Sequence, residues 1–457
     1  MSYKLDLTRG PIALQLTKVS LPIMLTMFIQ MTYVLVDMIW IGRLGSGAIA
    51  AIGSAGFYTW LGMAVAFLPK VGLEVNVAQT AGRNNIEALK NFIVNGLLLT
   101  FVVALVYSVV VFTFAPSLIG FFKLGTDVNS FNPTSNAIIY IRILAVGMIL
   151  QFFNLSCTSV YNGLGKSKLP FYYNSAGLIL NVVLDPVLIY GLWFIPRLEV
   201  AGAAIATLIS HGTVATLFIF SFKRNFDFFD SLKCFLQVKK EYCRKIIKIG
   251  LPPAIQGVFF ASIGIVLARI ISQWGPIPIA VQRIGAQIES LSWMTAQGFS
   301  TALSAFVGQN HGAGQDKRVW KGYLTAMYIM STIGVLVSLL LVLFPEFLFK
   351  IFVKEEETIR QGVIYLVILS CSQLFMCLEM TTAGAFNGLG KTIPPTIVGI
   401  CGNLIRIPAA LVLSGMIGLS GVWWSISGSS IVKGVVLVVW FVWYFKRIKK
   451  ISHNISA

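Results

Sequence analysis

Charge is scarce in this chain. Only 11% of its 457 residues are Asp, Glu, Lys or Arg, too few to cover the water-facing surface of a soluble protein of this size. Acids are the scarcer sign, 17 against 35 Lys and Arg. The three histidines, His211, His311 and His453, lie far apart, so no metal constellation forms, and no Ser/His/Asp or Cys/His arrangement is visible. These gaps exclude the usual hydrolytic and metal-dependent enzymes and leave no cofactor to expect. No A-x-A site follows the first apolar run, Leu14 to Ile41. That run is too long for a signal-peptide core, so it is retained as a helix. Cys157, Cys371, Cys377 and Cys401 sit in apolar runs, and Cys234 and Cys243 in a basic loop facing a reducing compartment; no disulfide is expected. Gly-Leu-Gly-Lys lacks the spacing of a phosphate loop.

Apolar sequence is abundant: 56% of residues are hydrophobic and the mean hydropathy is +0.81. A bilayer crossing takes about 20 apolar residues. Runs of that kind, broken by Gly, Pro and charge, predict twelve spans, at 14–41, 48–69, 90–114, 137–160, 169–194, 201–222, 247–272, 277–305, 321–345, 361–385, 394–415 and 421–445. The alternating ten-residue segments of a membrane barrel are absent. Lys and Arg crowd alternate loops and both ends, which predicts a multi-pass protein of the cell inner (plasma) membrane with both termini cytoplasmic. The net charge of +18 is then topological, and nucleic acid is not an expected partner. The longest basic stretch, within 223–246, reads as a cytoplasmic linker able to lie on anionic lipid.

The two halves repeat. Val160-Tyr161-Asn162-Gly163-Leu164-Gly165-Lys166 returns as Ala385-Phe386-Asn387-Gly388-Leu389-Gly390-Lys391. Ser20-Leu21-Pro22 matches Gly250-Leu251-Pro252, and Asn181 with Pro186 matches Asn403 with Pro408. A six-helix unit starts and ends on one side, so its copy keeps the same orientation, and the two are related by an axis along the membrane normal. The expected fold class is therefore an all-α membrane protein of twelve transmembrane helices in two pseudo-symmetric six-helix bundles, residues 1–222 and 247–457. A monomer is expected.

Chemistry is sought where charge interrupts the apolar runs. An ionised carboxylate in hydrocarbon costs about 2.5–3.5 kcal/mol, yet Asp37 lies in span one and Asp185 in span five. Asn181 precedes Asp185 by four residues and so shares its helix face; Pro186 frees a carbonyl beside them. Both spans run in the same direction, which puts the two acids at comparable depth. Two buried acids close together cannot both ionise cheaply. They make a protonatable pair, or with Asn181 an oxygen site for a hard cation. Thr207 enters at the same depth. Met27, Tyr33 and Tyr140 are candidates to line a cavity for organic cations by dispersion and cation–π contact.

Together Pro22, Gln30, Asp37, the Gly42-Arg43-Leu44-Gly45 turn, Asn181 with Asp185-Pro186 and the repeated Asn-Gly-Leu-Gly-Lys resemble the multidrug and toxic compound extrusion (MATE) family over essentially the full chain. The resemblance implies two six-helix lobes in a V and export of organic cations or drugs in exchange for H+ or Na+ by alternating access. It implies an ion site at Asp37, Asn181, Asp185 and Thr207, with Gln30 and Asn154 as cavity neighbours, and a bend of span one at Pro22 when the carboxylates change protonation. One branch of the family has a glutamate in the seventh helix, where this chain reads Gly257-Val258-Phe259-Phe260-Ala261. A second site would therefore have to use Glu379, Glu289 or Gln256, with Arg269, Arg283 and Arg406 as neutralising partners. The nearest competing expectation is a flippase for a lipid-linked precursor, which would need several cavity cations.

Overall fold

The computed structural model describes residues 7–122, 124, 132–191, 196–226 and 238–455. The centre of the basic linker, with Cys234, lies outside them. The described chain is helical: α1 (Ile12–Gly42), α2 (Ser46–Gly82), α3 (Ile86–Gly120), α4 (Pro133–Gly163), α5 (Lys168–Tyr190), α6 (Glu199–Asn225), α7 (Lys240–Ile271), α8 (Pro276–Gly312), α9 (Asp316–Leu343), α10 (Pro345–Lys350), α11 (Glu356–Gly388), α12 (Ile393–Ile417) and α13 (Leu419–Ile455). Among the described residues, eleven helices are long and apolar enough to cross a membrane. The remaining long helix, α8, carries Gln282, Arg283, Gln287 and Glu289, which dilute its apolar run. Large apolar side chains such as Phe101, Val102, Leu105, Val106, Val109 and Phe112 stay exposed along α3, as befits a face turned to lipid.

Helices begin and end where the sequence supplies the chemistry. The side chains of Asn85 and Asn132 accept the backbone N–H of Ala88 and Ser135, each at 2.9 Å, and cap α3 and α4. The repeated motif ends α4 and α11 in the same way. Gly165 and Gly390 take positive φ, 76° and 73°, and the N–H of Lys166 and Lys391 return to the carbonyls of Tyr161 and Phe386 at 2.8 and 2.9 Å. Several helices overrun their apolar cores. The second expected span, 48–69, continues to Gly82 because Glu74 and Asn76 lie on a buried surface packed by α4 and α7 rather than in a loop.

The chain divides into two compact units. The first holds Leu25–Ala254 and the second Leu7–Met24 with Ile255–Ala457, so α1 and α7 each contribute to both. In the first unit α4 is central, packed by α2, α3 and α6, with α5 against α6. In the second, α11 takes that place among α8, α9 and α13, with α12 against α13. The duplication in the sequence is thus a duplication in packing. The second unit also secures the residues before α1: the Leu7 carbonyl accepts from Asn310 Nδ2 at 3.1 Å and from Arg318, whose Nη2 also reaches the Gly10 carbonyl at 2.9 Å.

Candidate functional site

The first unit collects its polar atoms around α5. Asn181 and Asp185, one turn apart, are both fully buried, and Asn181 Nδ2 donates to Asp185 Oδ1 at 3.2 Å. Asp37 comes in from α1 beside both side chains. Tyr33, a turn earlier on α1, and Tyr140 from α4 lie within electrostatic reach of both carboxylates. Four oxygens of this group are enclosed without a hydrogen-bond partner: Tyr33 Oη, Asp37 Oδ1, Asn181 Oδ1 and Asp185 Oδ2. Enclosed polar atoms left unpaired are costly, and four on adjacent side chains make a set of donors suited to a proton or a small hard cation.

The other expected residues divide clearly. Thr207 points its hydroxyl at the Ala203 carbonyl of its own helix, 3.0 Å away. Gln30 and Met27 are half-buried on α1, about 10 and 15 Å of helix rise from Asp37. Pro22 lies inside a continuous α1. Asn154 donates to the backbone carbonyl of His211 at 3.0 Å, and the His211 ring stacks on Tyr33 with centroids 6.0 Å apart. That stack was not legible from a lone histidine in an apolar run. Neither was Gly177, where a Cβ would stand 2.6 Å from Tyr33 Oη and 2.5 Å from Val214; the missing side chain is what lets Tyr33 in.

In the second unit the register of the repeat gives a different outcome. Fifteen residues beyond Pro22 stands Asp37, and fifteen beyond Pro252 stands Leu267; before Pro186 stands Asp185, and before Pro408 stands Ile407. Leu267 and Ile407 join one apolar cluster with Ile263, Ala410 and Val422. Charge sits elsewhere. Glu379 pairs with Lys433 at 3.1 Å, both nearly buried. Glu289 accepts from Gln373 Nε2 at 2.8 Å and Tyr365 Oη at 3.4 Å. Arg406 feels both glutamates, while its Nε and Nη2 donate to Ser429 and Ser430 at 2.7 and 2.9 Å. Of the three arginines considered as neutralising partners, the recorded interactions bring Arg406 to these acids. Gln256 packs over Gly399. Lys433 was missed in the sequence, although it is the single cation between Leu419 and Phe445.

The family model described as MatE matches residues 22–187 and 252–412, one block in each repeat. This chain belongs to the MatE family. It is accordingly a membrane transporter rather than an enzyme. It is 26% identical over 437 residues to the probable multidrug resistance protein NorM of Thermotoga maritima, covering 94% of this chain and 92% of that one. It is 24% identical over 438 residues to an FAD transporter of Shewanella oneidensis, covering 95% of each. The fold matches a solved outward-facing multidrug resistance MATE family transporter of the MOP superfamily with a TM-score of 0.89 at 24% identity, over 98% of both chains.

Proposed function

We propose that this MatE chain exports cationic and amphipathic organic compounds, drugs among them, in exchange for H+ or Na+. The observation that carries the reading is the Asp37–Asn181–Asp185 cluster with its unpaired enclosed oxygens. A coupling ion fills the site from outside, the pair loses its net charge, and α1 bends at Pro22; drug affinity falls and the compound leaves outward. Release of the ion to the cytoplasm resets the site. The coupling ion has one such home, because the corresponding pair in the second unit is Leu267 and Ile407. One charge moving through about 100 mV supplies about 2.3 kcal/mol, a concentration ratio of roughly fifty for a neutral substrate. A lipid-linked precursor with a pyrophosphate fits less well, since Arg406 and Lys433 are matched by two glutamates.

The test is ethidium transport in proteoliposomes with pH and Na+ gradients imposed separately. Export driven by one gradient and abolished in Asp37→Asn and in Asp185→Asn is the expected result. Undiminished antiport in both variants would end the reading.

A further inference from the structure

A guanidinium inside a membrane protein is retained for a partner or a function, and Arg406 lacks a carboxylate partner at ion-pair distance among the described residues. It is 8% exposed. Two neutral hydroxyls hold it instead. Ser429 Oγ donates to the Ile426 carbonyl at 2.9 Å, so it can only accept from Arg406 Nε, and Ser430 accepts from Nη2. The plane of the guanidinium is thereby set. The remaining nitrogen, Nη1, has no hydrogen bond to protein among the described residues and is not among the enclosed unpaired atoms. The second cation of the group, Lys433, runs its stem across Gly402, where a Cβ would come within 2.2 Å of it, and meets Glu379. Glu289 and Glu379 supply the opposing field at Arg406.

We propose that Arg406, oriented by Ser429 and Ser430 and flanked by the Lys433–Glu379 pair, binds the carboxylate of an amphoteric transported compound. The inference rests on the exporter reading for its source of ligand. A planar fork of donors matches a carboxylate bidentately. The four charges of the group balance, two of each sign, so a ligand that brings one anionic and one cationic group leaves the total unchanged. A polyanion would not. Glu379 is the acceptor placed for the ligand's ammonium once Lys433 turns aside. The site of the first unit is built on acids instead, Asp37 and Asp185.

The test compares two dyes that differ in one group, rhodamine 110 with its free carboxylate and rhodamine 123, the methyl ester. Binding is read by fluorescence anisotropy on the full-length protein in phosphatidylcholine nanodiscs. Arg406→Gln should weaken rhodamine 110 roughly tenfold and rhodamine 123 less than about twofold, and Arg406→Lys should recover only part because an ammonium cannot fork. Ser430→Ala keeps the charge and frees the guanidinium, and should weaken rhodamine 110 alone; it decides the matter if Arg406→Gln does not fold. Equal weakening of both dyes, or of neither, overturns the proposal. Loss of the difference on adding phosphatidylglycerol would assign the site to a lipid headgroup and overturn the substrate assignment. Export of rhodamine 123 from vesicles is a separate arm: its absence in the wild type removes the exporter reading, while the dye difference in nanodiscs still judges the carboxylate site.

Discussion

Leu267 and Ile407 share an apolar cluster at the positions where the first repeat carries Asp37 and Asp185. The same backbone arrangement therefore has an acid version and a hydrocarbon version in one molecule. The hydrocarbon version keeps the amide, the buried Asn403 with its Oδ1 unpaired, but puts Leu267 and Ile407 where the two acids stand.

A carboxylate introduced at Leu267 enters an apolar cluster. Leu267→Asp should lower folding stability by about 3–5 kcal/mol, the scale of an uncompensated buried charge, while Ile407→Val costs about 1 kcal/mol by loss of one methyl. Thermal melts of the purified protein in detergent measure both. A Leu267→Asp protein that melts with the wild type would show that the second unit tolerates charge at this position, and the one-site reading would lose its basis.

The Lys433–Glu379 pair should behave in the manner of buried ion pairs. Lys433→Met leaves Glu379 without its partner and should cost about 3–5 kcal/mol. Glu379→Gln in the same chain should return most of that, because removing both charges of a buried pair is often neutral. The double-mutant cycle, read by melting temperature, gives a coupling near zero if the pair is instead solvated.

Gly177 is where packing and chemistry meet. Gly177→Ala places a methyl against Tyr33 Oη and Val214, an overpacking cost of about 1–3 kcal/mol. The tyrosine must swing away from Asp37 and Asp185, so ethidium export should fall further than stability does. Removing the hydroxyl with Tyr33→Phe should relieve the crowding, and the double variant should melt above Gly177→Ala alone. Equal melting of the two would place the strain at Val214 instead.

Much of the fold was legible because membranes make simple demands: long apolar runs, basic loops, and a motif used twice. Asn181 and Asp185 were legible too, since helical spacing alone puts them on one face. What the sequence hid were partnerships across helices. Lys433 looks like a stray cation until α11 brings Glu379 to it, and His211 looks like a lone histidine until α1 lays Tyr33 against its ring. The polar end of α2 read as loop because charge usually means water, yet neighbouring helices cover Glu74.

The duplicated Asn-Gly-Leu-Gly-Lys segment offers the cleanest test of the repeat. A Cβ on Gly163 would stand 2.7 Å from the Glu74 carbonyl oxygen, and one on Gly388 2.6 Å from that of Ser304. Each obstacle is backbone in the middle of a helix, which cannot turn aside as a side chain can. Gly163→Ala must therefore push α4 off α2, and Gly388→Ala must push α11 off α8, at about 1–3 kcal/mol each. The two sites lie in separate compact units and have no partner in common, so their costs should add to within about 0.5 kcal/mol. Denaturation of the two single variants and the double variant measures this directly. A double variant no worse than either single would mean that the helix pairs do not yield independently, and that the two copies of the motif hold one cooperative structure rather than two.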